Sequence, residues 1–310
     1  MIGTLTLIIT LSTLFFTLIL FLIGTFDILT LGILVVAFNI IQWLISPYII
    51  DALYRVKEIP PNEQPQLHTI VQNLSQKTGI KNPRLMLAQI PIPNAFAYGS
   101  PIAGTRIAVT QGLLQTLDAG EIEAVIGHEL GHLRHRDVQV MMFVSLLPAL
   151  FSYIGFSLML SQGRQRDQGS SGALIGIGFM AFSWVLNIFI LYLSRLREYY
   201  ADRHSAAVVQ NGPQKLSTGL AKIVQATKNM RRTRGNNTQH LSGFKALFIS
   251  DPDRAETDSL ELKAMTASGG EQKLVQQILQ QRLTTMDRVI EVFSTHPNIV
   301  KRLKALQELS

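Results

Sequence analysis

His128, Glu129 and His132 spell H-E-x-x-H inside the stretch VIGHELGHLRHRD, residues 125–137. Residues four apart on an α-helix project from one face, so the two imidazoles can converge on one ion. Glu129 is turned about 100° from His128 and stands next to the ion rather than on it. Metal-assisted hydrolysis uses this arrangement: two imidazoles hold zinc and a carboxylate takes a proton from water. The motif is short enough to arise by chance. Its rival is an amphipathic helix whose histidines face polar surroundings, and a third ligand has to decide.

His135 lies on the same face but about 10 Å along the axis from His128. Zinc–nitrogen bonds of about 2 Å cannot span that separation on a straight helix. The longer pattern H-E-x-x-H-x-x-G-x-x-H also fails, because His135 and Val138 occupy its Gly and final His positions. The better candidate is distant. In SRLREYYADRHSA, residues 194–206, Glu198 and Asp202 are four apart and share a helix face. Glu198 can supply the third ligand, and Asp202 can accept the outer N–H of a ligand histidine.

Spans and connectors must bring these segments together. Of the 310 residues, 47% are hydrophobic and only 16% charged. The shortfall in charge is concentrated in four stretches that reach the roughly 20 apolar residues a bilayer requires. They are expected to span at about 2–26, 28–50, 138–160 and 173–194, forming two hairpins. The first lacks the basic start and small-residue exit of a cleaved signal. The helix carrying the motif is expected to run on into the third span. His132 precedes that span by six residues, and Glu198 follows the uncharged stretch ending at Ser194 by four. An antiparallel hairpin therefore sets them level, within about 6–9 Å of the membrane edge.

Residues 51–137 and 195–310 read as the two parts of one protease domain. In the first part, residues 58–66 form a proline-rich connector. Residues 67–78 have helical spacing before Gly79, three short strands follow, and helices begin at 113 and 119. In the second part, a flexible basic loop is expected near 228–242 and polar helical sequence over 256–291. Lys and Arg concentrate beside one end of the spans, with only Arg164 and Arg166 beside the other, which puts the soluble parts in the cytoplasm. No cysteine is present, so disulfides and thiolate ligands are excluded. The net charge of +7 fits lipid headgroups. The basic KNMRRTR segment lacks aromatic interleaving, so no nucleic-acid partner is expected.

HELGH at 128–132, a span pair, then REYYAD at 197–202 resembles the HtpX-type membrane zinc metallopeptidases, relatives of the CAAX prenyl proteases. NAFAYG at 94–99 and FSTHPNIVKRL at 293–303 match the same pattern in the same order. The resemblance implies a membrane-bound endopeptidase of protein quality control that cleaves membrane or misfolded proteins at the cytoplasmic surface. It implies one Zn2+ per chain on His128, His132 and Glu198, with Glu129 as the general base. Asn94, Ala95 and Phe96 would be part of an edge strand that binds substrate backbone. His296 would donate to the tetrahedral oxyanion, with Arg302 supporting that region. Two features depart from the pattern: a long 251–291 segment, and His204, which cannot be carried over.

The fold class expected is a mainly α membrane protein with four transmembrane helices. They carry a gluzincin-like α+β zinc protease domain with a small β-sheet. A CAAX-type prenyl-protein endopeptidase and a catalytically silent membrane scaffold stay open as alternatives. An intramembrane protease fits poorly: Arg134, Arg136 and Asp137 border the motif, and the third and fourth uncharged stretches contain no carboxylate. The sequence leaves substrate preference and oligomeric state open.

Overall fold

The computed structural model describes residues 28–161, 171–234 and 271–310. The elements in the first half are α1 (Ile28–Leu53), β1 (Val56–Glu58), α2 (Pro65–Thr78), β2 (Arg84–Ala88), β3 (Ala95–Ser100), β4 (Gly104–Thr110), α3 (Gln111–Thr116) and α4 (Ala119–Arg134). There follow α5 (Asp137–Ser161), α6 (Ser171–Val208), α7 (Gly212–Arg234), α8 (Glu271–Leu279), α9 (Thr285–Val292) and α10 (Ile299–Gln307). The chain divides into two compact units, Met1–Leu44 with Gln139–Ser194 and Ile45–Val138 with Arg195–Ser310.

The described part of the first unit is helical. Among the described residues, three helices are long and apolar enough to cross a membrane, over Gly32–Leu53, Asp137–Met159 and Leu174–Val208. The expected first span, 2–26, lies outside the described residues, as does most of the connector at 161–172. Within this unit α5 and α6 approach closely through glycine: a Cβ on Gly155 would stand 2.6 Å from the Gly176 carbonyl oxygen. Ser183 donates to the Pro148 carbonyl at 2.7 Å, satisfying a hydroxyl that lipid could not. Phe143, Leu147, Trp184 and Phe189 face outward, the surface expected where hydrocarbon replaces water.

The second unit is built on a four-stranded mixed sheet in the order β1-β2-β4-β3. β2 and β4 run parallel, and β1 and β3 are antiparallel additions on either side. Side chains alternate across the sheet. On one face Leu85, Ala95, Ile107 and Val109 join Leu74 of α2, Ile126 of α4, Leu220 of α7 and Leu303 of α10 in the main core. On the other, Met86, Phe96, Tyr98 and Ala108 pack with Tyr54, Ile90 and Ile92. The small sheet and helices expected are present. The strand β1, just ahead of the proline-rich connector, was not foreseen.

Local signals set the helix ends. Gly79 closes α2 in the left-handed conformation, φ 67°, which glycine adopts without strain. Asp118 and Glu121 form a capping box at the start of α4.

Three expectations need correction. The motif helix does not continue into the third span: α4 ends at Arg134, Arg136 takes a φ of 53°, and α5 starts at Asp137. A left-handed residue interrupts the i to i−4 ladder, so the chain turns. The expected basic loop starts too early, because residues 228–234 complete α7 and only 235–242 lie outside the described residues. The polar helix expected over 256–291 is divided: 256–270 lie outside the described residues, and residues 280–284 separate α8 from α9.

Candidate active site

The site is made where α4 crosses α6. The contact is between small residues: a Cβ on Gly131 would stand 3.0 Å from Ala201 Cα, and one on Gly127 3.2 Å from Ser205 Oγ. Ser205 Oγ donates to the Ala124 carbonyl at 2.6 Å and fixes the crossing. Glycine at these two positions lets the helix backbones approach, so the short carboxylates of α6 reach the imidazoles of α4. The H-E-L-G-H and R-E-Y-Y-A-D segments therefore supply the contact as well as the chemistry.

His128 Nε2 and His132 Nε2 lie 3.1 Å apart. Glu198 Oε2 is 3.7 Å from His128 Nε2, and Glu198 Oε1 is 3.6 Å from His132 Nε2. Two donors about 2.0–2.1 Å from a tetrahedral ion stand about 3.3–3.4 Å apart. The three separations bracket that value. His128, His132 and Glu198 form a group, all ligand atoms within 4.8 Å of one another, that can hold a metal ion. Two imidazoles and one carboxylate leave a fourth position open, the donor set of a catalytic rather than a structural site.

Each imidazole is oriented from behind. Asp202 Oδ1 is 2.9 Å from His128 Nδ1, and Asp137 Oδ2 is 2.6 Å from His132 Nδ1. An Nδ1–H given to a carboxylate leaves the Nε2 lone pair for a metal. Each carboxylate is in turn backed by an arginine. Arg302 Nε and Nη2 donate to Asp202 at 2.8 and 2.6 Å, while Arg197 Nε is 3.0 Å from Asp137 Oδ2. Burial opposes the charge on Arg302, but the Asp202 and Glu198 carboxylates outweigh it and hold the guanidinium protonated. Burial likewise opposes charge on His132, yet its hydrogen bond to Asp137 and the carboxylates of Glu198, Glu129 and Asp137 raise the imidazole.

Glu129 occupies the sheet side of the site. Its Oε2 accepts the Ala97 backbone N–H at 2.8 Å. Burial pushes its carboxyl up, His132 and His128 oppose this, and Glu198 adds to it. A carboxylate that accepts a proton readily and touches β3 thus stands between the His128, His132 and Glu198 group and the strand. His296 approaches from the segment before α10, its Nδ1 3.4 Å from Glu198 Oε1. Glu129, Glu198, Asp202 and His296 thus gather at the histidine pair, as the sequence leads one to expect.

Three residues that the resemblance assigns to the substrate region, Arg302, Asn94 and Phe96, have buried side chains. Arg302 is 1% exposed and its guanidinium is taken by Asp202 and Glu198, at 3.2 Å from Glu198 Oε2. It holds carboxylates and is closed to substrate. Asn94 is buried and turned into the sheet: its N–H goes to Thr110 Oγ1 at 2.9 Å and its carbonyl accepts Thr110 N–H at 2.9 Å. Phe96 packs in the second core against Tyr54 and Tyr98. Backbone groups of alternate residues point to opposite sides of a strand. The outward groups of β3 belong to Ala95, Ala97 and Gly99, and Ala97 is the one that meets Glu129.

Sequence reasoning missed Asp137 and Arg197. Asp137 opens α5 five residues after His132, and the turn at Arg136 folds it back. Its signal is a lone acid at the edge of an uncharged stretch. His135 caps α4, with its ring 6.1 Å from that of His204 and 6.2 Å from that of Tyr200.

A family model described as Peptidase family M48 matches residues 61–310. The chain belongs to peptidase family M48. It is similar to a protein named Protease HtpX homolog from Thermoplasma acidophilum, 40% identical over 275 residues, covering 87% of this chain and 82% of that one. A protein of the same name from Aeropyrum pernix is 37% identical over 299 residues, covering 93% of this chain and 88% of that one. In fold, the chain is similar to the crystal structure of Ste24p from S. mikatae, with a TM-score of 0.58 and 16% identity. It covers 95% of this chain and 62% of Ste24p, so the chain spans under two thirds of that structure's length. The HtpX-type resemblance read from the motifs is borne out. As a family M48 member with three membrane-length apolar helices among its described residues, the chain is an integral membrane metalloprotease.

Proposed function

We propose that this chain is a zinc-dependent endopeptidase that hydrolyses membrane or misfolded proteins at the cytoplasmic face of its membrane, in protein quality control. His128, His132 and Glu198 hold the ion, and Glu129 is the general base. The observation that carries the reading is the triangle of three ligand atoms with Glu129 held beside it by the Ala97 N–H. Lys and Arg beside one end of the spans favour the cytoplasmic orientation.

A zinc ion held by His128, His132 and Glu198 would supply Lewis acidity, making water more acidic and the scissile carbonyl more electrophilic. The substrate lies extended along the edge of β3 away from β4 and pairs with the backbone groups of Ala95 and Gly99 and the carbonyl of Ala97, whose N–H stays with Glu129. Glu129 takes a proton from the attacking water as the C–O bond forms. Its raised affinity for that proton suits it to hold it and pass it to the leaving amine as the C–N bond breaks. His296 donates to the oxyanion of the tetrahedral state. Asp202 and Asp137 keep the imidazoles aimed, and Arg302 keeps Asp202 and Glu198 charged.

The test uses the purified full chain in detergent with zinc. It is offered an unfolded soluble protein, a membrane protein and a prenylated CAAX peptide, with and without chelator. Chelator-sensitive cleavage of the proteins is expected, and Glu129→Gln should keep zinc while cleavage falls by roughly 10²–10⁴-fold. Preference for the prenylated peptide would favour the CAAX-type reading. Absence of chelator-sensitive cleavage would favour the silent scaffold.

A further inference from the structure

α9 has its amphipathic pattern turned outward. Met286, Val289, Ile290 and Phe293 recur at i, i+3, i+4 and i+7, the spacing of one helical face. They are 65%, 50%, 37% and 57% exposed. The residue that this helix buries is an acid: Glu291, which accepts the Asn298 N–H at 3.2 Å and pairs with Lys301. A domain surrounded by water turns such a stripe inward and leaves the acid out. The helix is firmly made, with Thr284 and Asp287 closing a capping box at its start. The exposed stripe therefore belongs to an ordered element.

One arginine says where that element lies. Arg195 Nη1 donates to the carbonyls of Glu291, Val292 and Ser294 at 2.7, 3.0 and 2.8 Å. Arg195 is the next residue after Ser194, the last of the uncharged stretch that α6 carries. The C-terminal end of α9 is thus tied, by a single side chain, to the point where α6 leaves its apolar run. An arginine that ends an apolar run marks the level of the headgroup layer.

We propose that α9 is an interfacial foot, with Met286, Val289, Ile290 and Phe293 set into the headgroup–acyl boundary of the bilayer that α6 crosses. Interfacial helices bury their apolar face about 5–10 Å into that boundary, which a single such stripe can fill. Arg282 and Arg288, both exposed on or beside α9, add attraction to anionic headgroups. Phe293 is three residues before His296, so lipid contact would also steady the segment carrying that imidazole. The inference rests on the membrane-spanning reading of α6 and is independent of the metal and of hydrolysis.

The chain has no cysteine, so a single introduced one can be labelled uniquely. Val289→Cys and, on the polar side, Arg288→Cys would each carry a nitroxide in the full-length protein. The protein would be reconstituted in vesicles of mixed zwitterionic and anionic phospholipid. Collisions with oxygen, which partitions into lipid, are compared with those of a water-soluble nickel chelate. The oxygen-to-nickel ratio should be several-fold higher at 289 than at 288. Equal ratios would place the stripe in water and overturn the proposal. Protection at 289 from both reagents would also overturn it, showing that protein covers the stripe, whether another part of the chain or a second copy. If Val289→Cys fails to fold, Met286→Cys reads the same face.

Discussion

His128 and His132 sit one turn apart on α4 and are each backed by a carboxylate and an arginine, but the two arms differ in depth and origin. The His128 arm runs through Asp202 to Arg302, and all three are buried. Its members come from α4, α6 and α10, far apart in the chain. The His132 arm runs through Asp137 to Arg197, and its histidine and arginine are 16% and 13% exposed. Its first link spans only five residues and depends on the turn at Arg136. Similar polar chains can thus be built by tertiary packing or by a local turn. The buried one has more to lose, because water cannot replace a missing partner there.

Breaking the deep arm at its end should have the largest effect. Arg302→Met leaves the Asp202 and Glu198 carboxylates buried without their cation, at a cost of about 3–5 kcal/mol. Thermal unfolding of the metal-free protein in detergent measures it, and a change under about 1 kcal/mol would deny the arm its status as a buried ion network. Next comes the carboxylate of that arm. Altering an outer-shell partner of a ligand histidine lowers metal affinity by roughly 10–100-fold. Asp202→Asn should fall near the top of that range, read by zinc competition against a chelator. Asp137→Asn should fall near the bottom, about tenfold, because water can reach His132 and take the Nδ1 proton. Equal losses in the two variants would mean that burial does not separate the arms. The smallest effect should come from Arg197→Lys, which keeps a cation near Asp137. Zinc affinity should then stay within about threefold of the parent, in keeping with the modest worth of a partly exposed ion pair.

Much of the site was legible because its chemistry is periodic. His128 and His132, then Glu198 and Asp202, are each four apart, and helical geometry converts that spacing into a shared face. Gly127 and Gly131 repeat at the same interval on α4, and their meaning as a crossing surface shows only when Ala201 and Ser205 are set against them. Asn94 and Phe96 illustrate the opposite case. A strand was readable there, but which residues present backbone to the edge away from β4 depends on β3 pairing with β4, a register that one strand cannot reveal. Arg302 was drawn toward the site, but that its guanidinium is sealed against Asp202 and Glu198 depends on how α10 packs.

The sequence by itself determined that membrane-length apolar helices flank a two-histidine helix and that a second, acidic helix must complete it. Composition decides what can enter lipid, and helical periodicity decides which side chains share a face. Tertiary structure alone decided that Asp137 turns back onto His132, that Arg302 is sealed behind Asp202, and that Ala97 offers its N–H to Glu129. Each of these depends on where the chain turns and which elements pack, and side-chain contacts form only after the backbones have been brought together.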